Sequence, residues 1–98
     1  MSFTFLEAAL EEYDASLDYY IGRDEQVARS FVAEFEASVE QIVANPTRWR
    51  KEGEVVRIYR MPNFPYSLIY RERNGNVILV ALAHHRRRPG YWRARTPD

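Results

Sequence analysis

Cysteine is absent from this chain of 98 residues. That excludes disulfides and thiolate metal centres, and a reducing compartment is the natural setting. Lysine is almost absent: Lys51 stands alone, so arginine supplies thirteen of the fourteen cations. Arginine grips phosphate and carboxylate through a planar fork, but it stays charged and is a poor proton carrier. No apolar run approaches the roughly twenty residues that span a bilayer. The start, Met1 to Glu7, lacks a positive stretch followed by an apolar one, so no signal peptide and a cytoplasmic location are expected. A net charge is missing too, formally +0 at pH 7, yet the zero hides a division. Residues 1–45 hold ten acidic and two basic side chains, and residues 46–98 hold twelve basic and four acidic. Such polarity suits an acidic partner, nucleic acid or protein, although two acidic helices that are merely well solvated would give the same count.

What is present reads as one domain over 1–98. The length supports a single modest core, and 46% hydrophobic residues argue for a folded globule. Apolar residues recur at Leu6, Leu10, Tyr13, Leu17, Tyr20 and Ile21, a helical stripe for which Gly22 offers a stop. Asp24 suits the N-cap of a second helix, with its stripe at Val27, Ala28, Phe31, Phe35, Val39, Ile42 and Val43, closed by Asn45-Pro46. After Pro46 the period shortens to that of strands, at 55–60, 66–71 and 77–83. Asn74-Gly75 is a hairpin signal, because both residues accept positive φ. Phe3-Thr-Phe5 alternates and suits an edge strand. The expected fold is α+β, in the order β-α-α-β-β-β, with the helical hairpin on one face of a small antiparallel sheet. On the last strand Ile78, Val80 and Leu82 are expected to face the helices. Val77, Leu79, Ala81 and Ala83 would then face outward, towards a partner or the chain's own tail.

From His84 to Arg95 the chain packs five arginines, two histidines, a tyrosine and a tryptophan into twelve residues. A strand that runs into such a segment marks a binding or catalytic edge, and 86–98 forms a basic aromatic tail. Arg86, Arg87 and Arg88 read either as a solubilising run or as a contact surface. Tyr91 and Trp92 dock on the chain's own core or on a partner. Arg57 and Arg60, on opposite faces of their strand, are further candidates. Tyr59, Tyr66 and Tyr70 suit the core or its rim. Proton carriers are few: Lys51, Glu54, Tyr70, His84, His85 and Tyr91. By alternation His84 points to the helices as a packing residue, and His85 points to the open face, near Arg71 if the hairpin register brings them together. Two adjacent histidines without nearby carboxylates make no metal site, and no cofactor is expected.

Several of these segments together resemble the RelE/ParE superfamily of bacterial toxins from type II toxin–antitoxin modules, also called plasmid stabilisation proteins. They are Tyr19-Tyr20, Ala44-Asn-Pro46, Val56 to Arg60, Phe64-Pro-Tyr66, Ile69-Tyr-Arg71 and above all His84 to Trp92. The pattern is most similar to the ParE-like branch. The resemblance implies a toxin held in a hetero-oligomer by a co-encoded antitoxin. It further implies one of two activities: non-enzymatic inhibition of DNA gyrase, or cutting of ribosome-bound mRNA as in the RelE-like branch. RNA cleavage needs a base, an acid and a cation for the phosphorane. RelE-like enzymes use several basic residues, lysines among them, and a tyrosine near the C-terminus, and this chain has one lysine. Gyrase inhibition is therefore the preferred expectation, with Arg57, Arg60, Arg86, Arg87, Arg88, Tyr91 and Trp92 binding target or antitoxin. If the chain cuts RNA, His85, Arg71, Arg86 and Tyr91 are the catalytic set. A non-toxic relative with the same fold is a third reading.

Overall fold

A computed structural model describes residues 2–96, so the last two residues of the 86–98 tail lie outside the described chain. Five strands and two helices follow in order: β1 (Ser2–Phe5), α1 (Glu7–Arg23), α2 (Glu25–Ala44), β2 (Lys51–Glu52), β3 (Val56–Arg60), β4 (Tyr66–Arg73) and β5 (Asn76–His84). A short 3-10 turn at Arg93–Arg95 ends the described chain. One sheet in the order β1-β5-β4-β3-β2 holds every strand. All its pairs are antiparallel except β1 with β5, which is parallel, so the expected antiparallel sheet is mixed at that edge.

The helices are longer and closer than the sequence suggests. Gly22 does not stop α1, which runs on to Arg23; a single residue, Asp24, separates it from α2. Asp24 does both jobs: its N–H bonds the Tyr20 carbonyl, and its side chain accepts from the Gln26 N–H at 2.8 Å. The stripe on α1 is also narrower than expected. Ala9 is fully buried and Tyr13, Leu17 and Tyr20 are half-buried, whereas Leu10 and Ile21 are exposed, as is Val27 on α2. The helical stripe drifts round the helix, and only one side of it meets the sheet.

Between helices and sheet lies an aromatic core in which Phe31, Phe35, Tyr66, Tyr70 and Leu68 pack with Val77, Leu79 and Leu82. Asn74 (φ 53°) and Gly75 (φ 81°) make the two-residue turn between β4 and β5, as a primed hairpin turn requires. Across that hairpin the register slips once: Ile69 faces Ala81, but Tyr70 faces Leu79, leaving Val80 as an extra residue in β5. This bulge corrects the expected faces of the strand. Val77 and Leu79 face the helices, not the open side, and Val80 joins Ala81 on the other face. Leu82 keeps its expected side, because the strand resumes its alternation beyond the extra residue. Arg71 faces Ile78, far along the hairpin from His85, which follows the Tyr66–His84 pair. The register therefore does not bring Arg71 and His85 together.

Candidate functional site

The face of the sheet turned away from the helices is not open. Trp92, only 5% exposed, packs there with Val56, Ile69, Val80 and Ala81, and Tyr91 lies beside it. The tail reaches this place through successive tight turns: Arg87 N–H bonds the His84 carbonyl, Tyr91 the Arg88 carbonyl, and Arg93 the Gly90 carbonyl. Gly90 has φ 79°, a backbone angle that side-chain-bearing residues rarely adopt. Burying this apolar face under two aromatics removes surface that would otherwise attract other chains.

One carboxylate fixes the tail. Strand β1 ends its pairing at Phe5–Leu79, so the following edge of β5 lacks a neighbouring strand. There Glu12 of α1 accepts from the Leu82 N–H at 3.0 Å, while the Arg95 guanidinium donates to the Val80 carbonyl at 3.0 Å. Arg95 and Glu12 also hold one another in a two-pronged pair at 3.0 Å and 3.0 Å. The Tyr91 hydroxyl donates to Glu12 at 2.6 Å. Arg87 stacks 3.8 Å from the centre of the Tyr91 ring and approaches Glu12 at 3.9 Å. Burial and the Glu12 carboxylate push the Tyr91 phenol well above its ordinary pKa, and the Glu12 hydrogen bond raises Arg95. An ion pair thus does for β5 what a sixth strand would have done.

Between tail and sheet remains a cleft of about 300 Å³. Its floor is Ile58, Ile69, Ala83 and Trp92; Arg50, Arg60, Arg87, Arg88 and Arg93 line it, with Glu52 as its one carboxylate. Glu52 is engaged by Arg50 at 3.3 Å and by Arg93 at 3.2 Å. The guanidinium groups of Arg60 and Arg88 make no hydrogen bond or ion pair among the described residues, and neither does that of Arg86 outside the cleft. His85 lies on the cleft with Nε2 3.1 Å from Ser67 Oγ. Burial, then Arg60, hold its pKa below the ordinary histidine value. At neutral pH it is mostly uncharged, one ring nitrogen donating and the other accepting. The cleft is thus lined by more cations than carboxylates, with the neutral hydrogen-bonding groups of Ser67 and His85 among them.

The other candidates are placed elsewhere. Arg57 points to the helix side and donates to the Trp49 carbonyl at 2.8 Å. The Tyr70 hydroxyl donates to the Pro46 carbonyl at 2.6 Å, and burial raises its pKa. His84 stacks edge-on against Tyr66 at 5.1 Å, and its Nδ1 accepts from the Arg86 N–H. Lys51 belongs to the short strand β2, opposite Arg57. Among the described residues no three His, Asp or Glu side chains gather to hold a metal, and no helix is long and apolar enough to cross a membrane. Glu12 and Glu52, which organise tail and cleft, escaped the sequence reading. For Glu12 the one signal is its place three residues after the buried Ala9, and its main partner lies 83 residues away.

Residues 3–89 match the family model described as ParE toxin of type II toxin-antitoxin system, parDE. The match ends before Tyr91, Trp92 and Arg95. Among solved structures, the chain is similar to one described as a chromosomal ParDE TA system from P. aeruginosa, with a TM-score of 0.71 and 23% identity over 86% of this chain and 95% of that one. At that identity the likeness is one of fold. None of the curated proteins matches the chain.

Proposed function

This chain belongs to the ParE toxin family of type II toxin–antitoxin systems, and on that premise we propose that it is neutralised by a co-encoded antitoxin and, once released, arrests growth by inhibiting DNA gyrase through protein contact. Its site of action is the cytoplasm, where gyrase and the nascent antitoxin are found. The observation that carries the choice of binding over cutting is the Tyr91–Glu12 hydrogen bond at 2.6 Å. It ties up the tyrosine that an RNA-cutting site in the tail would call upon. Arg71, the other expected partner of His85, lies elsewhere on β4. What remains at the cleft is fixed positive charge with a mostly neutral histidine, a set suited to holding an acidic group. An antitoxin with an acidic segment fits this surface, and the uncommitted Arg60, Arg86 and Arg88 are the groups for it to meet.

The test pairs two assays on the full chain. Purified protein is added to gyrase supercoiling reactions and, separately, to ribosomes translating a defined mRNA. Loss of supercoiling with intact message is the expected result. Codon-positioned cuts that vanish in His85→Ala would replace the gyrase reading with a nuclease one.

A further inference from the structure

The cleft between tail and sheet has features that contact with an acidic protein segment does not require. It is concave and small, with an apolar floor of Ile58 and Ile69. Two arginines from different segments, Arg60 at the end of β3 and Arg88 in the tail, line it without ion-pair partners among the described residues. Ser67 and His85 add a hydroxyl and an imidazole to its lining, 3.1 Å apart. Arg50 and Arg93 also line it, each paired with Glu52 at 3.3 Å and 3.2 Å. Glu52 thereby spends its charge on two guanidinium groups and leaves the cleft cationic. A carboxylate presents two oxygens in one plane, which a single arginine fork satisfies. A phosphate presents oxygens in several directions, and guanidinium groups from two segments of the chain plus neutral donors suit that arrangement.

We propose that this cleft binds a single phosphate group carried on a nucleotide, with Arg60 and Arg88 as the charged clamp and Ser67 and His85 as neutral hydrogen-bond partners. A volume of about 300 Å³ sits at the small end of ligand sites and accommodates one nucleotide unit, not a duplex. The site involves binding only and no bond is made or broken. It stands whether or not gyrase is the target, because its chemistry comes from the cleft alone.

The phosphate comes from a free nucleotide or from a nucleotide within a single strand, and the experiment separates the two. The full-length protein is titrated with inorganic phosphate, with uridine monophosphate and with a four-residue single-stranded DNA, following amide and His85 ring resonances by NMR. Shifts gathered at Arg60, Ser67, His85 and Arg88 are expected for all three probes, tightest for the nucleotide source that the cleft prefers. The double variant Arg60→Gln/Arg88→Gln should weaken binding by about tenfold or more, the scale of a lost charge-assisted contact. Arg48→Gln/Arg73→Gln, exposed cations outside the cleft, should leave it unchanged. Melting curves for both doubles confirm that folding is intact. Shifts scattered over all the arginines, binding that survives the Arg60/Arg88 change, or an acidic peptide that occupies the cleft while all three phosphate probes fail would each overturn the proposal. Gyrase inhibition, measured on the same variants, reports on the functional reading separately.

Discussion

At the scale of single residues, Glu12 has the largest consequences. Its carboxylate satisfies the Leu82 N–H, Tyr91 and Arg95 at once, with side chains of 15% and 22% exposure for Glu12 and Arg95. Glu12→Ala strands Arg95 and a strand N–H, so a loss on the order of 3 kcal/mol is expected, the lower end for breaking a buried pair. Chemical denaturation of the single and of Glu12→Ala/Arg95→Ala measures it, and the double should cost clearly less than the two singles added together. Trp92→Ala removes the aromatic lid over Val80 and Ala81 and should cost roughly 3–5 kcal/mol, read as a drop in Tm. His85 carries a pH signature. Its folded pKa is depressed, so the unfolded chain binds more protons between that value and about 6.5. Stability should therefore fall as pH drops from 7 through that window, and His85→Gln should flatten this part of the curve in a urea titration at each pH.

At the scale of elements, the tail and β5 act as one unit. The bulge at Val80 puts two consecutive apolar side chains on the face away from the helices, and the tail aromatics cover them. Beyond the end of β1 the strand has no neighbour, and Glu12 with Arg95 takes the place of one. A chain cut after Pro89 retains the whole family-matched stretch but loses the lid and half the clasp. It should aggregate or melt well below the full chain, and the Leu82 amide, hydrogen-bonded to Glu12 in the full protein, should exchange faster than it does there. A truncated chain with the full chain's Tm and a still-protected Leu82 would mean the tail only rests on the sheet.

At the scale of the molecule, the charge division in the sequence becomes a division between layers. Acidic helices cover one face of the sheet, and the cationic cleft opens on the other. Expression of the chain alone should stop growth in a sensitive bacterium, and co-expression of the neighbouring antitoxin should restore it while copurifying and raising the Tm. Arg86→Gln with Arg88→Gln should reduce toxicity while shifting stability by less than about 0.5 kcal/mol, because both side chains are exposed. Adding Arg87→Gln should cost more stability than either, since Arg87 stacks on Tyr91 and approaches Glu12. Full toxicity in the Arg86/Arg88 double would show that these cations are only solvated.

By itself the sequence determined the order of the longer elements, though not the two-residue strand β2, together with the Asp24 cap, the Asn74-Gly75 turn and the family resemblance, because each rests on local periodicity, turn chemistry or a run of adjacent residues. His84 as a packing side chain and Leu82 facing the helices were legible for the same reason. Lost to the sequence were Val77, Leu79 and Val80, whose faces depend on one extra residue between two strands, a feature that strict alternation cannot register. Tertiary structure alone decided that Trp92 and Tyr91 close on their own sheet, and that Arg57 serves the Trp49 carbonyl while Arg60 faces the cleft. It also chose Glu12 from ten acidic residues in the first half of the chain as the anchor for Arg95. Those outcomes turn on which groups meet across the fold, and an arginine's partner is set by where a strand edge runs out of neighbours, not by the residues beside it in the chain.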